Sequence, residues 1–133
     1  MKSIIILSLF LFTLNSFSQR AFVRQNGTSQ VYYQVDSVFI TAQNGDTIYL
    51  PGGAFQINNL SIDTKLTIIG AGHCPDSTQA TYATTLSGNI HLKNNASFGS
   101  ITGIYLTGNI QFGTTAGNQT VTNYGITRCN VAT

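Results

Sequence analysis

The stretch Gly45–Gly72, GDTIYLPGGAFQINNLSIDTKLTIIGAG, decides the fold. It is a series of short extended pieces separated by turn residues. Ile48-Tyr49-Leu50 runs into Pro51-Gly52-Gly53. Phe55-Gln56-Ile57, Leu60-Ser61-Ile62 and Leu66-Thr67-Ile68 follow. In each triplet the outer residues are apolar and the middle one is polar or amphipathic. This period of two sends two side chains to one face and the third to the other. No segment between the triplets is long enough for a crossover helix. A chain that turns every few residues while keeping one face apolar can wind into a coil with that face inside, a parallel β-helix.

Towards the C-terminus the pattern recurs. Ser87-Gly88-Asn89-Ile90-His91-Leu92 returns as Thr107-Gly108-Asn109-Ile110-Gln111-Phe112, 20 residues later. Gly103-Ile104 returns as Gly125-Ile126, 22 residues later. A slack period of this size suits one solenoid turn. It stacks Asn89 on Asn109 and Ile90 on Ile110, and stacked Asn amides can hydrogen-bond along the stack. Between the two regions, His73 to Gln79 breaks the pattern and reads as a protruding polar loop.

Towards the N-terminus, Gln19 to Gln30 is polar, with a turn at Asn26-Gly27. Val31, Val35, Val38, Phe39 and Ala42 lie at helical spacing, so Val31 to Gln43 reads as a short amphipathic helix capping the first coil. The competing reading is a capping strand, Ser37 to Thr41, since its residues are β-branched and aromatic. Before all of this, Lys2, the apolar run Ile4–Leu14 and the small residues Ser16 and Ser18 form a signal peptide over residues 1–18. The apolar run is shorter than the roughly 20 residues needed to span a bilayer. A short signal of this kind followed by Gln resembles those of Gram-negative bacteria. The protein is therefore expected to be secreted or at the cell surface, with no membrane contact once the signal is removed.

The 133 residues suit one domain. With 42% hydrophobic and only 8% charged residues, the chain is folded rather than disordered. A formal charge of +2 is too small to imply a nucleic-acid partner or an anionic membrane surface. Cys74 and Cys129 are 55 residues apart. That separation spans two to three turns of a coil, whereas a disulfide needs Cα atoms within about 7 Å, so both are expected to be unpaired.

Gly45-Asp46-Thr47-Ile48, Pro51-Gly52-Gly53 and Leu66-Thr67-Ile68-Ile69-Gly70 together resemble the opening coils of secreted proteins of the pectate-lyase-like superfamily. Gly103-Ile104-Tyr105-Leu106 and Gly125-Ile126 resemble the repeated strand of that family, in which Gly precedes an inward aliphatic. The resemblance implies an all-β, right-handed parallel β-helix of about four coils over residues 45–133, with residues 19–44 as N-terminal segment and cap. Nothing after Val131 reads as a cap, so further coils or modules are expected beyond Thr133. The superfamily hosts lyases, hydrolases, epimerases, adhesins and inert scaffolds, so the resemblance implies a fold more sharply than an activity.

The carboxylates are Asp36, Asp46, Asp63 and Asp76, with no Glu. Asp46 and Asp63 each precede a strand triplet, where Asp commonly bonds its own backbone, and Asp76 sits in the loop. They form neither a calcium loop nor a glycosidase pair of defined separation. His73, Cys74 and Asp76 do not match zinc spacing. No catalytic residue, metal or cofactor is therefore expected. The candidate ligand-binding residues are Tyr49, Tyr105 and His91. The two tyrosines are middle residues of their triplets and should face outward, where aromatic rings can stack on sugars. His91 lies between inward Ile90 and Leu92 and should face solvent, one coil from Gln111. The expected function is a non-catalytic scaffold, adhesin or surface-binding module, with an extracellular polysaccharide or a cell-surface component as partner. Two alternatives are the N-terminal part of a polysaccharide lyase or hydrolase, and a glycan-binding module that uses the exposed tyrosines.

Overall fold

The computed structural model describes residues 20–73, 82–113 and 120–132. The expected signal peptide and most of the expected polar loop, including Cys74 and Asp76, lie outside the described residues. The chain opens with strands β1 (Phe22–Asn26) and β2 (Thr28–Tyr32), then the helix α1 (Val35–Ile40). Strands β3 (Thr47–Leu50), β4 (Gly53–Ile62), β5 (Thr67–Gly70) and β6 (Thr84–Leu92) follow. A 3-10 turn at Asn94–Ala96 leads to β7 (Ser100–Thr102), β8 (Ile104–Thr107) and β9 (Ile110–Phe112). The last two strands are β10 (Gly125–Thr127) and β11 (Asn130–Ala132).

The strands form two sheets. Sheet 1 has the order β10-β7-β5-β3-β1-β2, and sheet 2 has the order β11-β8-β6-β4 with β9 also paired to β6. From β3 to β8 the chain alternates between them, β9 stays in sheet 2, and β10 and β11 complete one strand in each. Each connection between parallel neighbours in sheet 1 therefore passes through sheet 2, which supplies the long crossover that parallel pairing requires. Ile48, Ile68, Ile101 and Ile126 are in register across sheet 1. Leu86, Leu106 and Val131 are in register across sheet 2. One apolar cluster draws on both sheets, and Ile48, Ile68, Leu86, Ile101 and Leu106 within it are almost fully buried. Burying each of these side chains is worth about 1.5–3 kcal/mol.

The structure corrects the expected right-handed parallel β-helix of about four coils. The fold is mostly strand, in one mixed and one parallel sheet, with a single α-helix among the described residues. Two physical features separate it from a uniform coil. The first is the antiparallel start of sheet 1. Gly27, at φ +72°, lets the chain reverse tightly so that β1 pairs with β2 and then, also antiparallel, with β3. This hairpin looks polar because Arg24 and Asn26 are engaged by Asp46 at the start of β3, while Val23 and Val31 face outward. The second is that Phe55-Gln56-Ile57 and Leu60-Ser61-Ile62 are not separate strands but one ten-residue strand, β4. A bulge at Asn58, with φ +46°, shifts the alternation by one residue and keeps Ile57 and Ile62 both inward.

The expected repeat is partly corrected as well. Ile90 does pair with Ile110. Ile126, however, pairs with Ile101 and not with Ile104, so the 22-residue offset is not a structural register. The recurring unit is an inward Ile followed by an outward residue, and the segments between units vary in length.

At the N-terminal end the cap is a hairpin plus a helix. The helix α1 spans six residues, shorter than expected, because Val31 and Tyr32 belong to β2. Val38 is fully buried and α1 packs against β4, the edge strand of sheet 2, and against β1. Phe22 of β1 meets Phe55 of β4 edge to face, with ring centres 4.8 Å apart. Covering a sheet edge in this way removes a template for unwanted pairing.

Candidate functional site

Outward side chains on sheet 1 form two columns that cross the strands. The first column runs Val31–Val23–Tyr49–Ile69–Thr102–Thr127 in register. Four apolar or aromatic residues are followed by two hydroxyls. Val31 is 54% exposed and Tyr49 40%, so the aromatic ring and its neighbours are available to solvent. The second column includes Gln25, Thr47, Thr67 and Ser100. Between the two columns stand the buried Ile48, Ile68 and Ile101, which fix the outward direction of their neighbours. Neither column contains a charged residue. Hydroxyl hydrogen bonds do occur elsewhere, at Thr41, Thr84, Ser97 and Thr107. Among the described residues none engages the side chains of Thr47, Thr67, Ser100 or Thr102.

Sheet 2 treats its outward polar groups differently. Asn89 Nδ2 donates to Asn59 Oδ1 at 2.9 Å, and the Asn109 backbone N–H donates to Asn89 Oδ1 at 3.1 Å. Asn89 and Asn109 are adjacent as expected, but Asn109 joins through its backbone N–H, and the side-chain amide pair is Asn89 with Asn59, which sequence spacing alone did not include. Beside it the backbone is too close for side chains. A Cβ on Gly108 would lie 2.1 Å from the Gly88 carbonyl oxygen, and one on Gly88 would lie 2.3 Å from the Asn58 carbonyl oxygen. Thr107 Oγ1 donates to Ser87 Oγ at 3.0 Å. Four outward side chains of this face, those of Asn59, Asn89, Ser87 and Thr107, are engaged with one another, while Thr85, Tyr105, Ser61, His91 and Gln111 have no side-chain partner among the described residues.

The candidate residues do not form one cluster. Tyr49 lies on sheet 1, beside Val23 and Ile69. Tyr105 lies on sheet 2, half-buried, between Thr85 and Asn130. The two tyrosines therefore belong to different sheets. His91 is half-buried on β6, with Ser61 on one side and Gln111 on the other, as its alternation implied. Sequence reasoning missed Val23, Val31, Ile69 and the hydroxyl column. The signal for part of them was Thr47-Ile48-Tyr49, Thr67-Ile68-Ile69 and Ser100-Ile101-Thr102, a hydroxyl residue placed before each inward Ile.

The described carboxylates have separate partners. Asp46 is 1% exposed. It accepts from Asn26 Nδ2 at 2.7 Å and from the Gln43 backbone N–H at 2.7 Å, and Arg24 Nε lies 3.5 Å away. Arg24 also donates to the Thr41 carbonyl and to Gln30, and its guanidinium stacks over Tyr32. Arg24 and Asp46 thereby tie the hairpin, the end of α1 and the start of β3 together. Asp63 accepts from the Asn95 backbone N–H at 3.3 Å. Asp36 is exposed on α1 and borders a groove of about 350 Å³ between the helix and β4, lined also by Ile40, Asn59 and Leu60. Among the described residues no three His, Cys, Asp or Glu side chains come together.

The C-terminal part holds one electrostatic anomaly. The Tyr124 hydroxyl is buried with no hydrogen-bond partner among the described residues. Burial, and to a smaller extent the neighbouring Cys129, push its phenol well above the usual tyrosine range. Cys129 carries a free thiol, 3.2 Å from the Thr127 carbonyl oxygen. No helix among the described residues is long and apolar enough to cross a membrane.

Comparison with known proteins returns no relative: no protein-family model matches the chain, no curated protein is similar to it, and no solved structure matches it.

Proposed function

We propose that the chain is a non-catalytic surface-binding module, secreted or held at the cell surface, whose partner is an extracellular polysaccharide or another cell-surface polymer. The observation that carries this reading is the use made of Asp46. It is the buried carboxylate of the described chain, and its oxygens are committed to Asn26, Gln43 and Arg24. Its charge therefore holds the N-terminal cap in place instead of facing a cleft. A carboxylate placed to move protons would instead keep an open side towards a bound substrate. Asp63, bonded to the backbone of Asn95, supports the same reading. The strands meanwhile present two broad outer faces on a rigid core, which suits recognition of an extended polymer.

The test is to incubate the purified chain with a panel of insoluble polysaccharides and to follow both co-sedimentation and release of soluble reducing or unsaturated products. The reading predicts retention on at least one polymer with no product above a protein-free control. Sustained, protein-dependent product release contradicts it.

A further inference from the structure

We propose that the outer face of sheet 1 is the binding platform, and that its ligand is a neutral, linear, hydroxyl-rich glycan lying across the strands with Tyr49 as its central contact. This deepens the binding-module reading and rests on it.

Geometry comes first. Strands in a sheet are spaced about 4.8 Å apart, so a column crossing six strands extends roughly 24 Å. Residues two apart on a strand are separated by roughly 7 Å. Sheet 1 therefore presents an apolar-to-hydroxyl column beginning at Val31 and passing through Tyr49, with a second column of Thr47, Thr67 and Ser100 beside it. A pyranose ring has the matching chemistry. Its C–H face is apolar and its rim carries hydroxyls. A chain of such rings laid along the first column would set C–H faces on Tyr49 and Ile69 and hydroxyls against Thr67 and Ser100.

Charge selects the class of glycan. Neither column holds a charged side chain. A polyuronate or sulfated glycan would lose hydration of its anionic groups without gaining a cation here, and burying unpaired charge is unfavourable. A neutral glycan loses no such interaction, and its hydroxyls can both donate to and accept from Thr and Ser.

Readiness of the polar groups is the third argument. Protein hydroxyls already bonded to one another must break those bonds before meeting a ligand. On sheet 2 the Asn59–Asn89 and Ser87–Thr107 pairs, at the middle of that face, are in that condition. On sheet 1 the hydroxyls of Thr47, Thr67 and Ser100 have no such partner among the described residues. They are nevertheless held in position, because the buried Ile48, Ile68 and Ile101 alternate with them. Preorganised but unengaged groups bind with the least loss of conformational entropy.

The experiment is co-sedimentation of the full chain with insoluble cellulose, chitin and starch, and with immobilised polygalacturonate as the anionic comparison. Tyr49→Ala and Thr67→Val alter sheet 1, and Gln111→Ala is the control on sheet 2. Thermal melting by circular dichroism establishes that each variant is folded. Should Tyr49→Ala not fold, Thr67→Val and Ile69→Ser read the same face. The expected result is retention on at least one neutral glycan, weakened about tenfold or more by Tyr49→Ala and several-fold by Thr67→Val, with Gln111→Ala unchanged. Retention on polygalacturonate alone overturns the proposed ligand class. Retention weakened by Gln111→Ala but not by the sheet 1 variants overturns the proposed face while the binding-module reading stands. No retention on any polymer overturns both.

Discussion

Two faces of one chain, built on the same apolar interior, differ in how part of their polar side chains are used. Sheet 2 joins some of its outward groups, Asn59 to Asn89 and Ser87 to Thr107, with the Asn109 backbone N–H donating to Asn89. Sheet 1 sets Tyr49 and a row of hydroxyls outward without such bonds among the described residues. At Asn58, Gly88 and Gly108 the strands of sheet 2 bend through positive φ and approach until a carbonyl oxygen occupies the place of a Cβ. Sheet 1 has a close approach of its own, where a Cβ on Gly70 would lie 2.3 Å from the Gly103 carbonyl oxygen, yet the hydroxyls of Thr47, Thr67, Ser100 and Thr102 have no partner among the described residues. The same period-two alternation therefore holds the fold together on one side and presents a surface on the other.

The sharpest way to break this contrast is at the bend. Gly108→Ala forces a Cβ against the Gly88 carbonyl oxygen and a side chain into φ +152°, so it should cost at least about 2 kcal/mol. Denaturant unfolding reads this directly, and an unchanged midpoint would show that the close approach is not needed. Asn89→Ala comes next. It removes the acceptor for the Asn109 N–H and the donor to Asn59, a loss of about 1 kcal/mol by the same assay, with glycan retention unaltered. Tyr49→Ala reverses the pattern. Stability should change by less than about 1 kcal/mol, because the ring is partly exposed, while glycan retention falls. Thr67→Val has the smallest expected effect on the fold, within about 0.5 kcal/mol, since its hydroxyl has no partner among the described residues. It should nonetheless weaken retention, and calorimetric titration with a soluble oligosaccharide separates the two quantities.

Much of the interior was legible in the sequence. Ile48, Leu50, Ile57, Ile62, Leu66 and Ile68 all follow from the triplet alternation, and all are buried. Alternation reports the direction of a side chain but not the identity of its strand's neighbours. For that reason β4 reads as two strands and Ile126 as a partner of Ile104 within a uniform coil, and the antiparallel hairpin reads as a polar segment running into a helix. A bulge residue such as Asn58 resembles an ordinary loop residue until the strands on both sides are seen to share one partner, β6. The candidate site shows the same limit. Outward Tyr49 and Tyr105 were identified as a pair by parity, yet they lie on different sheets. The His91–Gln111 neighbourhood was legible because a 20-residue repeat carried it. The hydroxyl column was not, since each Thr or Ser is unremarkable alone and gains meaning only when Thr47, Thr67 and Ser100 stand in register.

The most direct test of the difference between the faces is an NMR titration of the isotope-labelled chain with a soluble neutral oligosaccharide. The account predicts amide shift changes centred on Thr47, Tyr49, Thr67, Ile69, Ser100 and Thr102, with Asn59, Asn89 and Asn109 unmoved. Changes centred on the asparagine ladder, or spread evenly over both sheets, would contradict it.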